Sequence, residues 1–284
     1  MDVCPTKADM RGRVAIWRRE GCRVGLVPTM GYLHEGHLAL VRRARALADR
    51  VAVSIFVNPT QFGPNEDLTS YPRDLDRDLA LLRAEGVDAV FVPTPDEMYH
   101  PDRQTSVEVG GLSDVLMGAL RPGHFRGVAT VVTKLFNIVT PDVAVFGEKD
   151  YQQLLIIRTM ARDLDMDLRI EGVPTLREAD GLAMSSRNVR LTPGDRAAAP
   201  ILHAALSEAE GLAATLDAAS LADRLRARIA AEPRAQVQSV DIRDADTLAP
   251  LEGPLNRPAV ILLAVRFGQV LLIDQRVVAR GETP

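Results

Sequence analysis

From residue 7 to residue 170 the chain alternates two kinds of hydrophobic pattern, and that alternation limits what it can fold into. Short apolar runs at 24–27, 51–57, 89–92, 143–146 and 168–170 are separated by helical periodicity at 7–20, 38–49, 74–85, 128–139 and 151–165. Strands covered on both faces read as unbroken apolar runs, and parallel neighbours need long crossover connections. The pattern predicts a doubly wound α/β domain built on a parallel sheet.

After residue 175 the texture changes. An Ala/Leu-rich stretch at 197–231 carries helical periodicity with interruptions near Gly211 and Ser220, and strand-like runs follow at 237–242, 260–265 and 270–273. Phe267-Gly268-Gln269 is placed to close a hairpin. Helices followed by strands without βαβ alternation predict a smaller α+β domain, so the expected division is 1–174 and 175–284, with the boundary near Pro174.

Composition removes several classes of function. A net charge of −4 argues against general nucleic-acid binding, which needs a clustered basic excess, and 46% hydrophobic residues supply material for a core. No apolar run is long enough to span a bilayer, and the stretch 1–10 has no signal-peptide character, so a cytoplasmic protein is expected. Cys4 and Cys22 show no disulfide or metal spacing and are read as reduced. Arg224, Arg226 and Arg228 read as a solvated helix face, as do Asp74, Asp76 and Asp78 at the start of theirs, with a metal role for Asp78 as the lesser reading.

The densest chemical signal is Val27-Pro28-Thr29-Met30-Gly31-Tyr32-Leu33-His34-Glu35-Gly36-His37. An apolar strand ends at Pro28 and Gly31, Gly36 is expected where the backbone turns, and a helix is expected to begin beside His37. A helix start presents unpaired N–H groups and a positive dipole end, and His34 and His37 add donors, so the turn suits a nucleotide triphosphate. A lone His-x-x-His is more often a pair of surface or core histidines, but here it follows a strand, where open α/β sheets bind ligands. The glycine-rich dinucleotide fingerprint is absent, and a zinc site would need a third ligand that the sequence does not show.

Four more segments gather polar groups at predicted strand ends or turns. Asn58-Pro59-Thr60-Gln61 offers two amides that either read a hydroxy acid or satisfy the turn backbone. Arg121-Pro122-Gly123-His124-Phe125-Arg126-Gly127 fits anion binding or loop packing. Gly147-Glu148-Lys149-Asp150-Tyr151-Gln152-Gln153 follows a strand, with Lys149 at the ligand edge as a compact phosphate donor. Met184-Ser185-Ser186-Arg187-Asn188 provides hydroxyls and a guanidinium for a triphosphate, or an ordinary N-cap.

These five ordered motifs resemble the pantothenate synthetase family, the pantoate and β-alanine ligases of the nucleotidylyltransferase-like superfamily, across nearly the whole chain. The resemblance implies a Rossmann-like N-terminal domain holding ATP and pantoate, a smaller C-terminal lid domain, a homodimer and a Mg2+ requirement. It implies ATP-dependent amide formation through a pantoyl adenylate, with β-alanine as the amine, AMP and pyrophosphate as products, and a place in the coenzyme A pathway. ATP phosphates would meet the Met30 backbone, His34, His37, Lys149, Ser185, Ser186 and Arg187. The nucleoside would meet Gly147, Asp150 and the Leu176 backbone, and pantoate would meet Gln61 and Gln153, with Asn58 beside them. His34, His37, Lys149 and Arg187 would carry the chemistry, with His37 as proton donor. Magnesium would ride on phosphate oxygens and water, with no dedicated protein cage. Two departures stand out: 1–8 is less strand-like than the family pattern, and Gln275 stands where Asn is expected. A nucleotidyltransferase that makes no amide, and an inert nucleotide-sensing module, are the alternative readings.

Overall fold

The computed structural model describes residues 1–64, 66 and 68–278. The chain divides into two compact units, one made of Met1–Glu148 with Gln152–Pro174, the other of Lys149–Tyr151 with Thr175–Pro284.

The first unit carries a six-stranded sheet of β1 (Asp2–Cys4), β2 (Val24–Thr29), β3 (Arg50–Ile55), β4 (Ala89–Phe91), β5 (Val143–Gly147) and β6 (Arg169–Val173). Every pairing is parallel, in the order β1-β4-β3-β2-β5-β6. The helices are α1 (Lys7–Arg19), α2 (Glu35–Leu47), α3 (Leu75–Ala84), the single turns α4 (Pro95–Met98) and α5 (Met117–Leu120), α6 (His124–Val139) and α7 (Tyr151–Asp163). Side chains alternate across the pleat. Leu26, Ala52, Ala144 and Phe146 join a core with Trp17, Phe136 and Ile157, while Val27, Val53, Val143 and Val145 join another with Val41, Ala44 and Leu82. Both faces are buried, which is why the strands read as unbroken apolar runs. Despite the weak strand character of 1–8, β1 pairs with β4 from Asp2↔Ala89 to Cys4↔Phe91.

The order reverses between β2 and β5. These strands pair only at Gly25↔Val143 and Leu26↔Ala144, whereas β2 and β3 pair over six positions. The sheet is therefore least closed between the carboxyl ends of β2 and β5, and the reversal point of an open α/β sheet is where such folds bind ligands.

In the second unit α8 (Pro193–Ala198), α9 (Ile201–Leu212) and α10 (Ala218–Ala230) cover an antiparallel sheet of β7 (Ala235–Asp244), β8 (Ala259–Phe267) and β9 (Val270–Val278). Phe267 pairs with Val270 across a two-residue turn at Gly268 and Gln269. The helical stretch does not break at Gly211 or Ser220. Gly211 lies inside α9, the break is at 213–217, and Ser220 donates its N–H to Asp217, the N-cap of α10. An aspartate at the cap decides this boundary, since its carboxylate satisfies an otherwise unpaired N–H.

Candidate active site

The turn after β2 is built from backbone that L-residues rarely adopt. Gly31 has φ +82 and Tyr32 φ +49. A left-handed residue with a side chain costs on the order of 1–3 kcal/mol unless its surroundings hold it. Here Thr29 Oγ1 donates to Ser54 O at 2.7 Å and accepts the Gly31 N–H at 3.2 Å, tying the turn to β3. Helix α2 starts earlier than the sequence predicts: His34 is its N-cap, Gly36 lies within its first turn, and the chain reversal falls at Gly31 and Tyr32.

His34 and His37 occupy the N-cap and third position of α2, with ring centroids 4.0 Å apart, both half-buried. The His34 N–H donates to His37 Nδ1 at 3.2 Å. A backbone N–H is a fixed donor, so His37 Nδ1 is the acceptor, and in a neutral ring the proton then lies on Nε2. The arrangement brings imidazole donors to a helix N-terminus, which favours an anion.

Beside the turn, Pro59–Gln61 forms a 3-10 turn capped by Asn58. Asn58 is 1% exposed and its side chain is spent within the protein. Its Oδ1 accepts from Tyr99 Oη at 2.7 Å and Thr60 Oγ1 at 2.9 Å, while Nδ2 donates to Gln61 Oε1 at 3.0 Å and Gly127 O at 3.2 Å. With its oxygen so engaged, Gln61 donates Nε2 to Met30 Sδ at 3.3 Å. Burial pushes the Tyr99 phenol up, so it stays a neutral donor to Asn58.

The segment at 121–127 is a brace for this amide. His124 Nδ1 donates to Gln61 O at 2.8 Å, and Arg121 donates Nη1 to His124 Nε2 at 3.1 Å and Nη2 to Gln61 O at 3.3 Å. Arg121 also holds Glu66, with Nε to Oε1 at 2.8 Å. Burial would raise the Glu66 carboxyl, but the hydrogen bond and charge of Arg121 outweigh it and leave it below the ordinary value. A Cβ on Gly127 would collide with the Thr60 carbonyl and lie 2.8 Å from Gln61 Cα, so only glycine lets α6 approach the turn. Of the two readings of this motif, the structure gives packing.

At the end of β5, Gly147 is half-buried and Lys149 and Asp150 lie in a 3-10 turn, Glu148–Asp150. Gln153 is half-buried on α7. Its neighbour Gln152 is structural, donating to Leu112 O and Val115 O at 2.8 Å each and accepting from the Met117 N–H at 3.1 Å.

In the second unit, residues 176–184 form a small hairpin. Met184 N–H donates to Leu176 O at 3.0 Å and Glu178 N–H to Leu182 O at 2.8 Å, with Gly181 at φ +92 in the bend. Arg177 binds buried Asp274 through two nitrogens at 2.7 and 3.0 Å, fixing the hairpin to β9. Asn188 Nδ2 reaches Glu178 Oε1 at 2.9 Å and Ala183 O at 3.1 Å. Arg196 binds Glu178 at 2.5 Å and Asp180 at 2.6 Å, which holds the Asp180 carboxyl below its ordinary value. The hairpin leads into Ser185, whose Oγ accepts the Arg187 N–H at 3.3 Å as N-cap of the 3-10 turn Ser186–Arg190. Ser186 is buried and Arg187 half-buried.

A cleft of about 610 Å³ at the opposite, amino-terminal edge of the sheet contains none of these residues. Several of its charged groups pair with one another: Arg13 with Asp2 at 2.5 Å, and Arg50 with Glu20 and Asp88 at 3.6 Å each.

A family model described as pantoate-β-alanine ligase matches residues 2–277. The chain belongs to the pantoate-β-alanine ligase family. It is similar to the pantothenate synthetases of Bartonella tribocorum, 54% identical over 97% of each chain, and Agrobacterium fabrum, 54% identical over 100% of this chain and 98% of the relative. Its fold matches the crystal structure of pantothenate synthetase from Thermus thermophilus, with a TM-score of 0.92 and 48% identity over 97% of this chain and 99% of that one. It also matches the pantoate-β-alanine ligase of Francisella tularensis complexed with β-γ ATP and β-alanine, with a TM-score of 0.80 and 33% identity over 98% and 97%.

One part of the support of the turn after β2 escapes a sequence reading. Asp78 is not on a solvated face; it is 1% exposed and accepts the Tyr32 and Leu33 N–H groups at 2.7 Å each. The signal was present in the helical period, since Asp78 lies one turn before fully buried Leu82 and the two are the buried residues of α3.

Proposed function

We propose that the protein condenses pantoate with β-alanine to pantothenate, in two steps that use ATP. The pantoate carboxylate attacks the α-phosphorus of ATP, forming pantoyl adenylate as pyrophosphate leaves. The β-alanine amine then attacks the activated carbonyl, the amide bond forms, and AMP departs with the former carboxylate oxygen. A free carboxylate is inert toward amines, so adenylation supplies the leaving group, and the protein's work is positioning and charge stabilisation. The observation that carries this reading is the pair of imidazoles at the start of α2, with the Gln61 amide oriented by Asn58 and donating to Met30 of the same turn, in a chain of this family.

In this reading the Met30 backbone, His34, His37, Lys149, Ser185, Ser186 and Arg187 bind the ATP phosphates, and Gly147, Asp150 and the Leu176 backbone bind the nucleoside. Gln61 and Gln153 bind pantoate. Asn58 orients Gln61, because its own hydrogen-bonding capacity is already used. His37 acts as a hydrogen-bond donor through Nε2; an imidazolium would lose the bond from the His34 N–H. Magnesium enters with ATP on its phosphate oxygens and water. A homodimer in the cytoplasm completes the proposal; among the described residues no helix is long and apolar enough to cross a membrane.

Incubation with ATP, magnesium and pantoate, with and without β-alanine, tests it against the alternatives. The expected outcome is stoichiometric pyrophosphate, AMP and amide only when all are present. Pyrophosphate without amide under every condition marks a nucleotidyltransferase, and no turnover marks a sensing module.

A further inference from the structure

We propose that Asp78 and Arg77, neither of which is at the reacting atoms, are positioning residues that set the phosphate-binding turn of this enzyme by gripping its backbone from α3. The inference rests on the reading that His34 and His37 bind ATP phosphates. The turn at Gly31 and Tyr32 runs through two consecutive left-handed residues, so its backbone groups have no regular partner. Asp78 supplies one carboxylate oxygen to each inward N–H: Oδ2 to Tyr32 and Oδ1 to Leu33, both at 2.7 Å. Arg77 supplies the complementary donor, Nη1 to Leu33 O at 2.9 Å, and its guanidinium lies 5.5 Å from the centre of the Tyr32 ring.

The fit is close on every side. A Cβ on Gly31 would lie 3.1 Å from Asp78 Oδ2 and 3.0 Å from Ile55 Cγ2. Asp74 caps α3 by accepting the Arg77 N–H at 3.2 Å, which fixes the helix start from which both gripping residues project. Leu33 is 1% exposed, and the next residue is His34. The position of the N-cap, and with it both imidazoles, is thus set by the carboxylate of Asp78. With both oxygens accepting N–H bonds, Asp78 acts on the turn as a backbone acceptor.

Asp78→Asn tests this, because it keeps the shape but sets an NH2 group against one of the two N–H donors. Arg77→Met and Arg77→Lys form a second pair at a half-exposed position, where folding is not at stake. The readouts are binding of a non-hydrolysable ATP analogue with magnesium by calorimetry, the KM for pantoate, and the thermal midpoint. Asp78→Asn is expected to weaken analogue binding at least tenfold and to leave the pantoate KM within threefold. Arg77→Met should weaken analogue binding three- to tenfold, with Arg77→Lys recovering most of that loss. If folded Asp78→Asn binds the analogue within twofold of wild type, or both substrates are lost in parallel with the midpoint, the clamp is wrong. If Asp78→Asn does not fold, wild-type binding by Arg77→Met overturns it instead. Failure of the functional reading is separate: the unmodified protein would then show no pantoate-dependent turnover, while analogue binding still reports on the clamp.

Discussion

Asn58 and Gln61 have the same functional group, and their partners assign them opposite duties. Asn58 has every strong donor and acceptor engaged, so it orients; Gln61 has its oxygen fixed by Asn58 and its nitrogen held only by the weak acceptor Met30 Sδ, a partner that a substrate carboxylate or hydroxyl would outcompete. In the proposed reading the same logic bears on His37. Its Nδ1 accepts the His34 N–H, so in the neutral ring Nε2 carries the proton that the proposal directs at developing phosphate charge. Lys149 is expected to act on the same charge. Removing a donor of this kind slows the step it serves by about 100- to 1000-fold, so His37→Ala and Lys149→Ala should each slow adenylation by that order. Supplied pantoyl adenylate should rescue amide formation in both variants alike, to within threefold, in single-turnover measurements. A persistent deficit confined to His37→Ala would return a proton-transfer role to that imidazole.

Elements matter here through how closely they can approach. Helix α6 meets the Pro59–Gln61 turn at Gly127, where a methyl group would collide with backbone, so the helix and the amide it braces are one mechanical unit. Gly127→Ala should raise the KM for pantoate at least tenfold while changing ATP affinity by less than threefold, as steady-state kinetics with each substrate varied will report. The long elements were legible in the sequence because strand runs such as 143–146 and helical stripes such as 128–139 bury whole faces, and burial leaves a period. Their ends were not. The start of α2 depends on His34 acting as N-cap after two left-handed residues, and the break before α10 depends on Asp217, both local backbone arrangements without periodicity. Among the candidate site residues, those carried by contiguous motifs, such as His34, Lys149 and Arg187, could be named from sequence. Asp78, Tyr99 and His124 could not be placed in the support of the site, because their partners lie 41 to 63 positions away.

For the whole molecule, the carboxylates give stability a pH dependence of definite sign. Asp180 is held below its ordinary value first by the Arg196 hydrogen bond, and Asp244 first by that of Thr247. In Glu66 and Glu171 burial pushes up, and arginine partners push further down. A depressed carboxyl contributes stability that is present above its unfolded value, about 4, and is lost as pH falls through the folded value. Asp78 opposes this: burial raises it, so its contribution weakens as pH rises from the ordinary value to the raised one. The depressed groups are more numerous, so the urea midpoint should be flat from pH 8 to pH 6 and fall steeply below about pH 4. The deeper question at this scale is chemical: whether the chain activates pantoate as an adenylate before β-alanine takes part. Exchange of labelled pyrophosphate into ATP reads that order without any amide being made. Exchange is expected with pantoate and magnesium alone, and none with β-alanine alone. Exchange that strictly requires β-alanine would contradict the adenylate-first order.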